Sequence, residues 1–392
     1  MSQLATATSF IPFALEWNAL TPFGRNIIFS LAASFFFCAC IVLTGRWHQR
    51  FTVDHLVGVQ KVHSGQVPRI GGLALALALL LASQPILGTS AHAKLTLLLY
   101  AALPAFLFGL IEDCTQKVPV FFRLWATIFA GTLGCFLLKT SITAIGIGWI
   151  DSFLAITLIS FAFTSFATAG LASSINLIDG LNGLAATVSI LIFAALAVLA
   201  DQVGDQRLCQ SSLVIAVVVL GFWLLNWPWG KLFLGDGGAY LLGFLMAWIA
   251  ILITARNPEV SPFAMLLICA YPIIETLSSI VRRLVFKKRM GQPDQQHLHH
   301  LVLFHVKYAM HVPLRWANPV AGLLASLLCI PPIVLALLMP SQTNLLMLSF
   351  VLMWLAYSAL YVSLKRSARR IAKQRDLPVS GVLAPRYDDV PV

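Results

Sequence analysis

Five short polar clusters interrupt an otherwise apolar sequence, and each stands at the end of an apolar segment. They contain carboxylates, amides, histidines and basic residues, which are the groups that bind divalent cations and phosphates. The clusters are KVHSGQVPRIGG (61–72), GLIEDCTQKV (109–118), SSINLIDGLNGLA (173–185), LFLGDGGAYLLGF (232–244) and DQQHLHHL (294–301). Because all five can be placed on one side of a membrane, we predict that they form one active site at a membrane surface.

The acidic part of these clusters is an adjacent pair of carboxylates and a separate aspartate. Glu112 and Asp113 would suit a site for magnesium and a diphosphate, because a hard cation prefers oxygen ligands. Asp236 lies between glycines at the start of an apolar segment, where glycines let a ligand approach the backbone and helix amides favour anions. The alternatives are an ordinary interfacial acid pair for the first two residues and a plain helix cap for Asp236.

The cluster at 173–185 places Asn176, Asp179 and Asn182 three residues apart, beside glycines. On a helix, residues i and i+3 share a face, so this spacing predicts one polar wall. Asn, Asp and Gly also favour turns, which makes an ordinary loop the alternative. The position of the cluster between two apolar segments favours function, because polar groups at membrane depth are costly and usually functional.

Three histidines, His297, His299 and His300, follow a basic run near the C-terminal third of the chain. Clustered histidines can bind zinc, but no supporting cysteine accompanies them. We expect their imidazoles to donate hydrogen bonds to phosphate or sugar oxygens instead. Glu275 lies about 10 Å inside the end of its apolar segment, and an acid within the membrane is a candidate site residue.

Basic residues near the clusters can balance the charge of a diphosphate. Lys61, His63 and Arg69 share a segment with a proline turn and a glycine pair, which indicates an anion-binding loop, and an ordinary basic loop is the alternative. Arg289 ends the basic run 282–289, which we expect to meet anionic lipid headgroups and to help hold the diphosphate.

The composition identifies an integral membrane protein. The chain has 392 residues, of which 59% are hydrophobic and 10% charged, with a mean hydropathy of +0.86, whereas soluble proteins carry roughly 25% charged residues. The net charge of +11 does not indicate nucleic-acid binding, because the basic residues stand beside apolar segments, as the positive-inside rule requires. The seven cysteines show no paired or zinc-type spacing and imply no disulfide framework.

Eleven apolar segments have the length of transmembrane helices, which need about 20 residues each. They cover roughly 26–45, 73–91, 95–111, 120–139, 153–171, 184–200, 211–227, 235–254, 262–281, 317–339 and 343–364. The short apolar piece 140–150 could be re-entrant. This pattern predicts an all-α, polytopic membrane protein built as a single helical bundle.

Lysine and arginine predict the orientation of the bundle. With these segments, 21 of the 26 basic residues fall on one side, Arg123 among them. The other five are Arg25, Lys94, Lys139, Arg207 and Arg256. Cytoplasmic loops carry the excess of basic residues, so we expect an outside N-terminus, a cytoplasmic C-terminus and five cytoplasmic clusters. We divide the chain into a transmembrane catalytic domain, 1–364, and a basic, then proline-rich cytoplasmic tail, 365–392.

Taken together and in this order, the clusters resemble those of the polyprenyl-phosphate N-acetylhexosamine-1-phosphate transferases, glycosyl transferase family 4, over about residues 58–305. The chain is most similar to the undecaprenyl-phosphate N-acetylglucosaminyl-1-phosphate transferase branch. The resemblance implies ten or eleven helices in the inner (cytoplasmic) membrane and a cytoplasmic active site. It also implies an Mg²⁺-dependent enzyme, with Mn²⁺ as a substitute. Such an enzyme moves a sugar 1-phosphate from a UDP-N-acetylaminosugar to undecaprenyl phosphate and releases UMP, the first membrane step of cell-surface polysaccharide synthesis.

The resemblance also assigns roles to residues of this chain. Asp236, helped by Asp113, matches the metal site, and Lys61 matches a lysine associated with nucleotide binding. The catalytic residues that it implies are Glu112, Asp113, Asp179, His299 and His300. The substrate-binding residues that it implies are Lys61, Asn176, Asn182 and His297. To these we add His63, Arg69 and Arg289, because their charges can balance a diphosphate.

Three residues depart from the family pattern. Glu112 replaces the first aspartate of the pair, Ser173 stands where asparagine is common, and Asn182 stands where aspartate is frequent. Glu112 and Asn182 keep oxygen donors, which a metal site can use. The histidine motif reads HLHH rather than the HHH of the muramoyl-pentapeptide transferase branch, which argues against that substrate.

Two other functions stay open as alternatives. One is a muramoyl-pentapeptide phosphotransferase of peptidoglycan synthesis, and the other is a secondary transporter, against which the lack of an internal repeat counts. The expected partners are a UDP-sugar, undecaprenyl phosphate and membrane lipids, and not nucleic acid. The sequence leaves open which UDP-sugar is used and whether the protein forms a homodimer.

Overall fold

Sixteen α-helices build the part of the chain that the structure describes, which is residues 20–52, 67–84, 92–285 and 296–375 of a computed structural model. In chain order they are α1 (Pro22–Leu43), α2 (Gly45–Thr52), α3 (Gly71–Ala82), α4 (His92–Thr115), α5 (Val120–Leu138), α6 (Gly148–Leu154), α7 (Thr157–Ile178), α8 (Leu184–Gln202), α9 (Gln206–Asn226), α10 (Gly235–Arg256), α11 (Pro262–Ile268), α12 (Ala270–Val285), α13 (Leu298–Tyr308), α14 (Leu314–Ser326), α15 (Ile330–Leu338) and α16 (Thr343–Gln374). A short 3-10 turn, Leu327–Cys329, joins α14 to α15. The helical content confirms the predicted all-α fold class.

Among the described residues, nine helical segments are long and apolar enough to cross a membrane. They are α1, α4, α5, α7, α8, α9, α10, the α14–α15 pair and α16. The pair α11–α12 is bent by 80° and adds a tenth if it is one span. Helix α3 has only 12 residues, whereas the sequence predicted a span over 73–91, and residues 85–91 lie outside the described ranges. The structure confirms a polytopic membrane protein, and the number of spans stays a prediction.

Two further features bear on the predicted organisation. In the apolar piece 140–150, residues 140–147 are non-helical and residues 148–150 form the start of α6. The predicted boundary between catalytic domain and tail, at 364/365, falls inside α16, which continues to Gln374. Residues 376–392 lie outside the described ranges, so the division of the chain stays a prediction.

Helix α10 lies at the centre of the bundle, and most of its side chains are buried against α3, α4 and α7. The backbones of α3 and α4 come into direct contact with the backbone of α10, because glycines stand at the contact points. A Cβ atom on Gly72 would collide with the backbone of Gly238, and one on Gly109 would collide with the backbone of Gly237. Small residues permit such approach in membrane bundles, where van der Waals packing replaces the hydrophobic effect. The first turn of α10 is therefore tightly fixed between α3 and α4.

The two ends of α10 are both charged and lie on opposite sides of the bundle. Asp236 is in its first turn, and Arg256 in its last turn pairs with Asp205 at 2.7 Å. A helix of this length, 22 residues, spans about 33 Å, close to the thickness of the hydrocarbon core. Lys94 and Arg207 lie near Arg256, so three of the five cations assigned to the outer side share one end. The absolute orientation stays a prediction.

We expect Gly109→Ala to destabilise the bundle, because the added Cβ would lie 2.6 Å from the amide nitrogen of Gly237. Overpacking of this kind costs about 1–3 kcal/mol. The thermal unfolding midpoint in detergent measures the effect. The matched control is Gly170→Ala in α7, where nothing lies within 4 Å of the added Cβ; it should be neutral or slightly stabilising. Equal midpoints for Gly109→Ala and the unmodified chain would contradict the backbone contact.

Candidate active site

The carboxylate of Asp113, near the end of α4, lies across the N-terminus of α10. Its Oδ1 accepts a hydrogen bond from the amide of Asp236 at 2.8 Å, and its Oδ2 accepts one from the amide of Gly237 at 2.9 Å. The first amides of a helix have no partner within the helix and favour negative charge. Gly235 begins the helix with φ of +74°, and a side chain there would collide with Asp113. Asp113 is thus a buried cap supplied by a neighbouring helix.

Asp236 is the point at which four elements meet. Its Oδ1 accepts a hydrogen bond from the Asn176 side chain of α7 at 3.0 Å and lies 3.9 Å from Nη2 of Arg69, which stands just before α3. Its Oδ2 forms an ion pair with Arg123 in the first turn of α5. The carboxylate is largely buried, and two guanidinium groups balance its charge. Such a group of one acid and two arginines suits the binding of phosphate oxygens.

Asp179 lies beside this group, in the turn that follows α7. Burial raises the pKa of Asp179 to about 7, while the charge of Arg69 and a hydrogen bond from the Gly235 amide act in the opposite direction. Asp179 and Glu112 are both close enough to Asp113 to interact with it electrostatically. The acids predicted from three separate sequence clusters therefore meet at one end of α10.

Glu112 takes part in a turn rather than in the contacts around Asp236. Its Oε2 accepts a hydrogen bond from the amide of Val118 at 2.7 Å, which closes the connection between α4 and α5. Gln116, in the same turn, has a positive φ of 53°. The Glu112 side chain is half-buried. Its predicted catalytic role stays a prediction.

The histidine motif begins α13 and is held by the buried acid Glu275. Oε1 of Glu275 lies 3.1 Å from Nδ1 of His297 and accepts a hydrogen bond from the amide of Leu298 at 3.2 Å. The ring of His297 stacks on that of His299, with centroids 5.4 Å apart and an interplanar angle of 5°. Glu275 therefore serves α13 as Asp113 serves α10: a carboxylate from one helix caps the start of another.

His299 joins this motif to the turn after α7. A Cβ on Gly180 would lie 2.7 Å from Nε2 of the His299 ring, and Gly180 is the neighbour of Asp179. Burial, with smaller contributions from His300, His297 and Arg282, holds the pKa of His299 well below its usual range. The His299 imidazole is therefore neutral at pH 7, and it can donate one hydrogen bond and accept another.

The three polar residues of the third cluster do not form one helical wall, because α7 ends at Ile178. Only Asn176 is helical, whereas Asp179 and Asn182 lie in the turn. The main-chain amide of Asn182 donates to Asn318 Oδ1 at 2.8 Å, and its side chain donates to the Pro228 carbonyl at 3.2 Å. Asn182 thus holds the turn against neighbouring segments. The expected shared face was wrong because the glycine-rich sequence forms a turn.

Several predicted residues lie outside the described ranges, and one contributor was not predicted. Lys61, His63 and Arg289 fall outside, so their roles stay predictions. Arg123 entered the sequence analysis only as a cation for orientation, although it pairs with Asp236. The signal that could have found it is its place within the apolar run VFFRLW (120–125), where a charged side chain needs a partner.

The Asp236 carboxylate supplies oxygen atoms, which are the ligands that a magnesium ion prefers. Among the described residues, no three histidine, cysteine, aspartate or glutamate side chains form a ligand set for a metal. Magnesium is, however, usually held by one or two carboxylates together with substrate phosphates and water. Both oxygens of Asp113 already accept amides, so Asp236 is the residue that would contact the ion directly. The metal roles of Asp236 and Asp113 stay predictions.

Comparison with known proteins finds a family model and several relatives that match a large part of this chain. The model of the family described as glycosyl transferase family 4 matches residues 95–254. A probable undecaprenyl-phosphate N-acetylglucosaminyl 1-phosphate transferase of Bacillus subtilis (strain 168) is 28% identical over 262 residues, 64% of this chain and 70% of the relative. The decaprenyl-phosphate N-acetylglucosaminephosphotransferase of Mycobacterium leprae (strain TN) is 29% identical over 334 residues, 77% and 83% of the two chains. The undecaprenyl-phosphate alpha-N-acetylglucosaminyl 1-phosphate transferase of Escherichia coli (strain K12) is 26% identical over 251 residues, 62% and 67% of the two chains.

We expect Asp113→Asn to lower the stability of the substrate-free protein by about 2 kcal/mol, because an amide group cannot accept from both α10 amides. The thermal unfolding midpoint, measured without substrate, separates this structural effect from loss of catalysis. The control is Asp201→Asn, which changes an exposed aspartate at the far end of α8. An unchanged midpoint for Asp113→Asn would show that Asp113 does not support α10.

We expect Glu275→Ala to expose the start of α13 to solvent exchange, because the Leu298 amide and His297 lose their acceptor. Hydrogen–deuterium exchange of peptides covering 296–304 should quicken by about tenfold, the equivalent of one lost hydrogen bond. Glu275→Gln keeps an acceptor oxygen and should restore most of the protection. Glu259→Ala, at an exposed glutamate, is the control. Equal exchange in Glu275→Ala and the unmodified chain would refute the cap.

Proposed function

Since this chain belongs to glycosyl transferase family 4, we propose that it transfers an N-acetylhexosamine 1-phosphate from a UDP-sugar to undecaprenyl phosphate. The products are a lipid diphosphate sugar and UMP. The observation that carries the proposal is the meeting of Asp236, Asn176, Arg69 and Arg123 at the N-terminus of α10. That arrangement places a carboxylate that can hold a hard cation beside two guanidinium groups that can bind phosphate oxygens, as a diphosphate substrate requires.

The names of the relatives support N-acetylglucosamine as the sugar and a polyprenyl phosphate as the acceptor. We propose UDP-N-acetylglucosamine, or a closely related UDP-N-acetylaminosugar, as the donor. The polar residues collect at one end of α10 rather than at the middle of the bundle, which favours surface chemistry on a lipid headgroup over transport. We further propose that this end faces the cytoplasm in the inner membrane, because most basic residues lie on its side of the predicted topology.

The reaction forms one P–O bond and breaks another. An oxygen of the lipid phosphate attacks the β-phosphorus of the UDP-sugar, and the bond to the bridging oxygen breaks so that UMP leaves with the electron pair. A phosphate monoester has a second pKa near 6, so the lipid phosphate is largely dianionic at pH 7 and needs no strong base. Positioning and electrostatic stabilisation then account for most of the catalysis.

Arg69 and Arg123 are the residues placed to bind the diphosphate oxygens. In the substrate-free protein both balance the charge of Asp236. A magnesium ion bound at Asp236 would polarise the phosphoryl group and neutralise developing charge. Asp179, held by the Gly235 amide and close to Arg69, orients that guanidinium. The neutral His299 ring, packed on Gly180, offers a hydrogen bond to substrate without adding charge.

We expect UMP release to require undecaprenyl phosphate, magnesium and a UDP-N-acetylaminosugar. The assay uses the full chain in detergent with UDP-N-acetylglucosamine, UDP-N-acetylgalactosamine and UDP-N-acetylmuramoyl-pentapeptide in turn. Asp236→Asn should lower turnover by more than about 100-fold, because it removes the charged ligand at the reacting phosphates. Excess chelator should abolish turnover in the unmodified chain.

Asp201→Asn is again the control and should keep its activity. Turnover near the normal value in Asp236→Asn would remove Asp236 from the reaction. Release of UMP at the same rate without lipid phosphate would contradict a transferase. Exclusive use of the muramoyl-pentapeptide donor would favour the peptidoglycan enzyme instead.

A further inference from the structure

The last turns of α16 carry a cationic surface on one side. Its exposed residues are Arg366, Arg369, Arg370 and Lys373. Their spacing of i, i+3, i+4 and i+7 places them on one face of the helix. The opposite face is packed, because Ala368 and Ala372 are fully buried. We call the four residues the cationic face of α16.

The packed side of this segment lies along α13, the helix that carries the histidine motif. Lys365 donates to the Gln296 side chain at 3.2 Å just before α13, and Arg375 contacts His311 just after it. The segment 365–375 thus runs beside the whole length of α13. The cationic face is turned away from these contacts.

The cationic face continues a row of exposed apolar side chains. These residues follow one face of α16 at intervals of three, four or seven residues. They are Leu345, Leu348, Leu352, Leu355 and Val362. Arg366 comes one turn after Val362, about 6 Å further along the axis, and Lys373 about 16 Å further. The cations therefore begin where a lipid that packs against the apolar row has its headgroup.

The length of α16 agrees with this placement. Its 32 residues extend about 48 Å, whereas the hydrocarbon core is about 30 Å thick. Along the membrane normal, a helix of this length extends about three turns beyond the core. The charged C-terminal end is the end that suits water and headgroups, and it holds the cationic face. The described stretch 296–375 contains no aspartate or glutamate, so no acid of this stretch competes for the four cations.

We propose that the cationic face of α16 binds the anionic headgroups of phospholipids whose acyl chains pack against the apolar row of the same helix. Electrostatic attraction to anionic lipid falls off within a Debye length of about 8–10 Å, which includes Arg366, Arg369 and Arg370. Because the same segment supports α13, bound lipid holds the helix of the histidine motif at a set height in the leaflet.

The test counts bound lipids on the detergent-solubilised full chain by native mass spectrometry, during titration with phosphatidylglycerol or phosphatidylcholine. The unmodified chain should prefer phosphatidylglycerol. Each basic residue near an anionic surface strengthens binding by about fivefold. The double substitution Arg369→Gln and Arg370→Gln should therefore weaken phosphatidylglycerol binding by about 25-fold, and Arg366→Gln alone by about fivefold, with unchanged unfolding midpoints.

The matched control removes two exposed cations from the other end of the bundle, by Lys139→Gln with Arg207→Gln. It should keep the preference for phosphatidylglycerol. Inorganic phosphate at millimolar concentration should not displace the lipid, and displacement would identify a site for free phosphate instead. Equal binding of both lipids, or a preference that survives Arg369→Gln with Arg370→Gln, would overturn the proposal. These outcomes do not depend on UMP release.

Discussion

The hydrogen bonds from the first amides of α10 to the Asp113 carboxylate are the interaction on which the rest of the site depends. A helix that starts inside a bundle has amides that water cannot reach, and each unpaired amide there is costly. A carboxylate from α4 satisfies two of them and complements the helix dipole. Because the amide of Asp236 is one of the two, the same contact sets where its side chain points.

Charge balance explains how so many acids can meet at one place. The partial positive charge at the N-terminus of α10 offsets the negative charge of Asp113. Asp236 is paired with Arg123 and lies near Arg69. A buried charge without such partners would cost several kcal/mol. Substrate phosphates can take over the guanidinium groups, so the arrangement that stabilises the empty site also prepares it for an anionic ligand.

The histidine motif repeats the same device on the other side of the site. Glu275 caps α13, and His299 of α13 packs on Gly180 in the turn after α7. Glycine is needed there because a side chain would occupy the place of the imidazole. The site is thus formed by helix ends that reach one another through carboxylate caps and glycine contacts, with α16 supporting α13 from outside.

The sequence by itself determined that this is an all-α membrane protein, because the lengths of apolar segments are local properties of a sequence. It also pointed to acids and histidines that the structure brings together, because polar groups beside apolar segments are costly. It also led to Glu275 and Asp236 as candidates. Only the tertiary structure decided that Asp113 and Glu275 are caps for other helices, that Arg123 pairs with Asp236, and that Asp179 and Asn182 belong to a turn. The contacts of Asp236 with Asp113 and with Arg123 join residues more than 100 positions apart, and Glu275 caps a helix that begins 23 positions later. No local pattern records which residues meet in this way.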